Sequence, residues 1–583
     1  MFQNHGIVLR LSVIKKLVIK SVRYRHKYIF AMDKAYLKYV DSSDVFYMNF
    51  HYTNSALKVD RTFNFSRKVT ENVESFLNRI CTNVEKVISK KLKRKRNDKE
   101  KTSEITVTAE LFGNSGTIDK CAICQDVFKQ NNLILTVLEK QYKIMKNCPW
   151  VDSICLSNVL LANYPVYPNK FEVSFTNKDL CEFIWYKSKD KKEWIRIGEG
   201  FLMQLSNNEI NYYLKLQCIP KNDDLIGPLT EVVSDVVVQA SPGLCSFDIR
   251  HQFTKSKPNS KEFRVVTYNV LADLYSDSDF SRNILYPYCP AYALHIDYRK
   301  LLIIKELIGY NADIICLQEV DKKVYENDLQ PVLSNFGYQS DLCLKGGQVA
   351  EGLACFYNEQ RFSLLERDSI VFSECLETNE LYKEIWQVIS KNEKLKERIL
   401  ARTTAIEVIA LKSKELNEVI LIANTHLYFH PDADHIRLLQ GALAIKYIQS
   451  KKDKLEKELN IKIPVVFCGD FNSVPECGIY QLYTTGSVPI SCSDWRSNKE
   501  EAVENLSIFQ SLKLASACGT PEYTNYTAGF QGCLDYIFYD TELLEVAEVV
   551  PLPSSENVKE HVALPSVTFP SDHISLVSVL KWK

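Results

Sequence analysis

Apolar and polar positions change their spacing along the chain, and the changes divide it into stretches of different structure. Residues 45–52 and 57–60 alternate as strands, and residues 74–88 repeat as an amphipathic helix, so residues 35–89 read as a small α+β region. A dense basic run follows, and residues 90–103 read as a charged linker. Residues 104–245 read as mostly β. Alternating segments at 171–175, 183–186, 194–197, 212–218 and 232–238 are separated by turn residues at even spacing, which predicts a sandwich. Cys181, Trp185 and Cys218 have the order of the Cys–Trp–Cys set of immunoglobulin-like sandwiches.

From residue 262 to the end the pattern differs again. Residues 264–269, 312–317, 418–423, 463–468, 534–539 and 574–580 are short apolar strand candidates, and residues 298–308 have helical spacing. Strands apolar on both faces are buried on both faces, so helices must cover the sheet. The expected class is α/β, a layered α/β sandwich preceded by a mostly β region.

Composition narrows the functional classes. The formal net charge is zero, so any nucleic-acid contact must come from local patches rather than a global positive field. Several of the eighteen cysteines, such as Cys316 and Cys468, sit inside apolar runs, which suits reduced thiols in a reducing compartment. Cys121 and Cys124 form a lone pair, with no second pair at zinc-finger spacing. No stretch is long and apolar enough to span a bilayer. Residues 1–31 carry Arg10, Lys15, Lys16, Lys20, Arg23, Arg25 and Lys27 among Leu, Ile and Val, with no acidic residue before Asp33. That pattern predicts a mitochondrial presequence and hence the matrix; a basic tail and the cytoplasm are the alternative.

The chemistry lies at the strand ends. Asn269 ends the first strand of the last region, Glu319 follows the second, and Asn424 and His426 follow the third. Asp470 and Asn472 follow the fourth, Asp535 lies in the fifth, and Asp572-His573 precedes the last. Polar residues at one edge of a sheet converge on one cleft. Singly each is weak evidence; together they predict metal-assisted phosphodiester hydrolysis. Mg2+, with Mn2+ as a substitute, takes hard oxygen ligands and keeps several waters. Glu319 is the first choice of ligand. Asp470 can bind a second metal or deprotonate the attacking water, and Asn472 can hold a phosphate oxygen or the metal. His573 can hydrogen-bond the phosphate or move a proton, and Asp535 would fix its tautomer.

The motifs TYNVLAD, LQEV, NTHLYFHP, GDFNSVP, LDYIF and SDH, in this order, resemble those of the exonuclease–endonuclease–phosphatase superfamily with its DNase-like fold. LYPYCP, YRKLLIIKEL, EGLACFY and GCLDYIF are similar to its deadenylase branch, without leucine-rich repeats. That resemblance implies two magnesium ions, one on Glu319 and one on Asp470 and Asn472, with Asp470 also the proton donor or acceptor. It implies removal of adenylates from the poly(A) 3′ ends of RNA and cleavage of 2′,5′-linked oligoadenylates, with Pro431 and Phe530 flanking the adenine. Two other readings compete. A lipid or inositol-phosphate phosphodiesterase would need a membrane element or polyphosphate pocket, and an RNA-binding scaffold would have lost a metal ligand. Oligomeric state has no signature in the sequence.

Overall fold

The computed structural model describes residues 32–57, 59–93 and 106–583. The expected presequence and most of the expected linker lie outside them. The chain forms two compact units, Met1–Cys148 and Pro149–Lys583.

The first unit corrects the expected division at the basic run. One seven-stranded sheet takes strands from both sides of that run, because Asp33–Lys38 pairs in parallel with Lys140–Lys146. The helix Val73–Lys93 continues past residue 89, and its Phe76, Ile80 and Val84 share a core with Phe46, Phe50 and Phe128. A strand such as Asp33–Lys38 has two edges to satisfy, and hairpin pairing with Val45–Asn54 fills one only. The composition break therefore marks a connection within one fold, not a boundary.

The β region expected at 104–245 is divided: its strands up to Lys146 belong to the sheet of the first unit, and the second unit begins with a β module formed by the rest. Ile195–Glu199, Glu182–Ser188, Tyr213–Ile219 and Thr230–Val237 form an antiparallel sheet in that order. Trp185, Leu214, Leu216 and Cys218 are buried beneath it, with Phe171 and Ile154 of the separate pair Trp150–Leu156 and Pro168–Ser174 packed against the same core. Cys181 and Cys218 are free thiols.

The remainder is a four-layer sandwich. Its strands are β1 (Glu262–Asn269), β2 (Ile314–Asp321), β3 (Tyr338–Leu344), β4 (Glu351–Asn358), β5 (Phe362–Val371) and β6 (Ala405–Ser413). They continue with β7 (Val419–His426), β8 (Val465–Asp470), β9 (Leu514–Ser516), β10 (Asp535–Asp540), β11 (Leu544–Val549) and β12 (Leu576–Trp582). One sheet has the order β3-β4-β2-β1-β12-β11 and the other β5-β6-β7-β8-β10-β9. Helices α1 (Ile296–Gly309) and α2 (Asp434–Leu459) cover their outer faces.

Strand alternation sets the layers. Val265, Ile314, Cys316, Ile409, Ile420, Ile422, Val466, Cys468 and Ile537 meet between the sheets. Val266, Tyr268, Ile315 and Leu317 face α1 instead. Each such side chain contributes about 1.5–3 kcal/mol on burial. β1 and β2 run parallel, as do β7 and β8, whereas β12 and β10 run antiparallel to β1 and β8. The C-terminal ends of the first four and the N-terminal ends of the last two therefore share one edge.

Candidate active site

At that edge the inter-sheet face changes from apolar to polar in step. Val265 gives way to Asn269, Cys316 to Gln318, Ile422 to Asn424 and His426, and Cys468 to Asp470. The two sheets meet there directly: Asn269 Nδ2 donates to Glu319 Oε1 (3.0 Å) and across to Asp470 Oδ2 (2.9 Å). Asp470 Oδ2 also lies 3.5 Å from His426 Nε2 and 3.5 Å from His573 Nε2. His573 Nδ1 lies 2.8 Å from Asp535 Oδ2, which accepts a 2.6 Å hydrogen bond from Thr524 Oγ1. Asn472 donates its side-chain N–H to the Leu427 carbonyl (2.9 Å) and lies 3.1 Å from His426 Nε2.

Glu319 reaches this cluster through a backbone irregularity. By strict alternation it would follow Gln318 onto the helix-facing side of β2. The register to β4 gains one residue between Leu317 and Val320, and Glu319 adopts φ +56°. A bulge of this kind re-aims one side chain and stores strain near a site. Its second oxygen accepts from the Ala272 N–H (2.9 Å). On the other sheet, Gly469 lets β8 approach β7: a Cβ there would lie 2.3 Å from the Thr425 carbonyl oxygen.

Burial sets the electrostatics. It pushes Glu319 up, opposed by Lys345, and pushes Asp470 up to about 6, opposed by His573. Burial pulls His573 down, but Asp535, Asp470 and Asp572 outweigh it and hold the imidazole well above its ordinary value. His426 is driven well below it by burial, Lys345 and His573. These opposite shifts leave one charged and one neutral histidine on the same carboxylate.

The cluster suits a divalent cation. Glu319, Asp470, Asp535 and Asp572 face few cations, and Asp535 Oδ1 is buried with no hydrogen-bond partner. Asp470, Asp535 and His573 offer ligand atoms within 4.8 Å of one another. An imidazole with a carboxylate at each nitrogen has no lone pair to give, so the oxygens of Glu319, Asp470, Asn472 and Asn269 are the better donors.

One expectation needs restating. Asn424 does not present itself to a substrate: it is 1% exposed, accepts from Gln318 Nε2 (2.8 Å) and donates to the Leu317 carbonyl (3.0 Å). It supports the site from beneath, because its inner-face position is one step short of the edge. Pro431, on the loop after β7, and Phe530, in the hairpin before β10, are both exposed, Phe530 by 43%.

Sequence reasoning missed several supports. Lys345 pairs with buried Glu351 and sends its charge toward Glu319 and His426, yet it is one lysine on a loop with no pattern around it. Tyr286 donates to Asp572 Oδ2 (3.1 Å), and Ser571 Oγ donates to the Asn269 carbonyl (2.7 Å). Thr524 and Ser571 lie in the YTNYT and SDH stretches, where their neighbours could have pointed to them.

Two sheets whose polar edge gathers carboxylates, amides and a charged imidazole define a hydrolase acting on phosphodiester bonds. The chain belongs to the Endonuclease/Exonuclease/phosphatase family, whose profile matches residues 266–573. It is 38% identical to 2′,5′-phosphodiesterase 12 of Rattus norvegicus over 96% of each chain. It is 30% identical to the CCR4-Not complex 3′-5′-exoribonuclease subunit Ccr4 of Schizosaccharomyces pombe, over 62% of this chain and 55% of that one. The crystal structure of ANGEL2, a 2′,3′-cyclic phosphatase, aligns at 24% identity and TM-score 0.46 over 55% of this chain and 96% of that one.

Proposed function

We propose that the protein is a magnesium-dependent 3′-exoribonuclease that removes adenylates from RNA 3′ ends and cleaves 2′,5′-linked oligoadenylates. The observation that carries the substrate class is the likeness to 2′,5′-phosphodiesterase 12 along nearly the whole of both chains. The 30% identity to the 3′-5′-exoribonuclease subunit supports the nuclease part of the reading.

The residues divide the work. Glu319, Asp470, Asn472 and Asn269 would hold magnesium, which supplies positive charge against the phosphoryl oxygens. Asp470, held between Asn269 Nδ2 and His573 Nε2, orients the attacking water and accepts its proton. His573, kept charged by Asp535 and Asp470, donates to the phosphoryl oxygen as charge builds there. Asp535 fixes the ring through Nδ1, and Thr524 fixes Asp535. Neutral His426 steadies Asp470 and Asn472. Phe530 and Pro431 supply exposed apolar surface for the terminal base.

The test is digestion of 5′-labelled A-, U- and C-tailed RNAs, matched DNA and a 2′,5′-linked adenylate, with and without magnesium or manganese. Chelator-sensitive loss of 3′ adenylates and of the 2′,5′ linkage is expected, and both activities should vanish in Glu319→Ala. Equal digestion of DNA, or none of any substrate with either metal, would overturn the reading.

The compartment proposed is the mitochondrial matrix, on the acid-free basic leader. Residues 1–40 fused to a fluorescent reporter should enter the organelle; a cytosolic reporter would remove the presequence.

A further inference from the structure

His573 is delivered by a segment that the sheet does not hold. The ladder between β1 and β12 closes at Thr267↔Leu576, so residues 573–575 lie beyond its last registered pair. The backbone there needs other partners. The Ile574 N–H donates to the Thr524 carbonyl (2.7 Å) and the His573 N–H to Ser571 Oγ (3.2 Å). Ser575 is held from elsewhere in the chain.

Its partner is Arg250, the last residue of the short helix Ser246–Arg250 in the connection between the β module and β1. The guanidinium is 4% exposed. Its Nη2 donates to the Ser575 carbonyl (2.8 Å), the acceptor that the ladder leaves free, and its Nη1 donates to Ser575 Oγ (2.8 Å). Nη1 also donates to Tyr310 Oη (2.6 Å), and Nε to the Pro551 carbonyl (3.0 Å). Glu306 Oε1 accepts from Ser575 Oγ (2.8 Å) and Tyr310 Oη (2.8 Å) and lies 3.8 Å from Nη1.

The connection itself is clamped to α1. His251 Nε2 lies 3.0 Å from the Glu306 carbonyl oxygen, and Thr254 Oγ1 donates to the Gly309 carbonyl (2.7 Å). A Cβ at Gly309 would meet the His251 ring at 2.1 Å, so glycine is required for that approach. Arg250 thus stands on a fixed base, with planar, bidentate geometry that a point charge does not reproduce. Arg250 and Ser575 both lie outside residues 266–573, the stretch that matches the family.

We infer that Arg250 is a positioning residue for the hydrolysis: by grasping the carbonyl and hydroxyl of Ser575 it sets where His573 stands between Asp535 and Asp470. The connection to the β module is then part of the machinery that places the imidazole, not a spacer.

Arg264 provides the control. It is equally buried (2%) and donates to the carbonyls of Tyr310 (3.0 Å) and Asn311 (3.2 Å), but it has no hydrogen bond to residues 571–575. Arg250→Met, Arg250→Lys, Ser575→Ala and Arg264→Met are made in the full chain. Two readouts follow: steady-state hydrolysis of a 2′,5′-linked adenylate, and, in metal-free protein, the downfield imidazole N–H proton assigned by its loss in His573→Gln. Only the kinetic arm rests on the phosphodiesterase reading; the proton resonance reports His573 whether or not that substrate is right. Arg250→Met should lower kcat about tenfold or more with KM little changed, since a displacement of about 1 Å at a reacting group can cost a hundredfold. It should also shift or broaden the resonance. Arg250→Lys should recover part of both, and Ser575→Ala, which keeps the carbonyl contact, should lose less. Arg264→Met should lower Tm and leave kcat and the resonance as in wild type. If Arg250→Met does not fold, Arg250→Lys and Ser575→Ala carry the comparison. A resonance and kcat in these variants no different from Arg264→Met would overturn the assignment.

Discussion

Glu407 is a carboxyl group buried in β6 with neither oxygen hydrogen-bonded, directly opposite Asn424 in the pairing with β7. Burial, reinforced by Asp341 and opposed by Arg367, pushes it well above its ordinary value. The folded protein therefore keeps this proton at pH values where the unfolded chain has lost it. Stability is greatest below the unfolded value and falls as pH rises toward the folded one, by up to about 1.4 kcal/mol per pH unit from this group. Glu407→Gln should flatten that slope between pH 4.5 and 8 and raise Tm more at the upper end. Thermal melts of both proteins across the range check it, and parallel slopes would show the group to be ionised in the fold. At the same scale, Asp535→Asn removes the carboxylate that fixes His573 Nδ1 and should lower kcat by about 10²–10⁴, as loss of an orienting carboxylate does elsewhere. Steady-state rates at matched saturation measure it; a change of less than about tenfold would make Asp535 a packing residue. The pairing of Asp535 with His573 was legible in the sequence because both residues adjoin apolar strands. The aim of Glu319 was not, since it depends on a one-residue bulge that residue type does not announce.

The hairpin before β10 shows what one element adds. Asn525–Tyr526 pairs with Gln531–Gly532, and the turn is closed by the Thr527 N–H to the Phe530 carbonyl (2.8 Å) and the Phe530 N–H to Thr527 Oγ1 (3.0 Å). That closure presents the Phe530 ring to solvent above Gly532, where a Cβ would lie 2.8 Å from its Cζ. If a base stacks on the ring, about 1–3 kcal/mol is lost with it, so Phe530→Ala should weaken turnover on every RNA about ten- to a hundredfold. Gly532→Ala should keep the fold and raise KM, because the flexible ring tilts away before the backbone moves. Unchanged kinetics in Phe530→Ala would leave the hairpin a structural element only. The central strands β1, β2, β7, β8, β10 and β12 were readable as elements because both their faces are apolar, whereas β4 and β6, equally central, were not read as strands. The edge strand Phe362–Val371 was not, because half of it faces water and its Glu366, Arg367 and Asp368 break the alternation. The sheet of the first unit was hidden for a different reason: its central pairing joins residues from either side of the basic run, and local pattern carries no information on such a partner.

At the scale of the molecule, the family match and the physics suggest different minimal enzymes. The match spans residues 266–573, which invites a cut near residue 260. The second unit, however, runs from Pro149, and the β module shares a core with α1: Leu161, Tyr164 and Tyr167 are buried with Leu301, Leu302 and Ile304. Tyr167 Oη donates to Asp328 Oδ1 (2.9 Å), which also faces the Lys300 ammonium (3.0 Å). Cutting at residue 260 exposes the apolar neighbours of those side chains, at about 1.5–3 kcal/mol for each large residue lost. It leaves buried Asp328 without the Tyr167 hydroxyl at about 1–3 kcal/mol more, and it removes Arg250. Against a total stability of about 5–15 kcal/mol, that loss is decisive. Residues 149–583 should therefore fold and hydrolyse a short 2′,5′-linked adenylate at the full-chain rate. Residues 260–583 should aggregate or melt far lower, with kcat reduced in whatever remains folded. Thermal melts and steady-state rates on the two truncated chains decide it. A stable, fully active 260–583 would make the β module and its connection dispensable to the site.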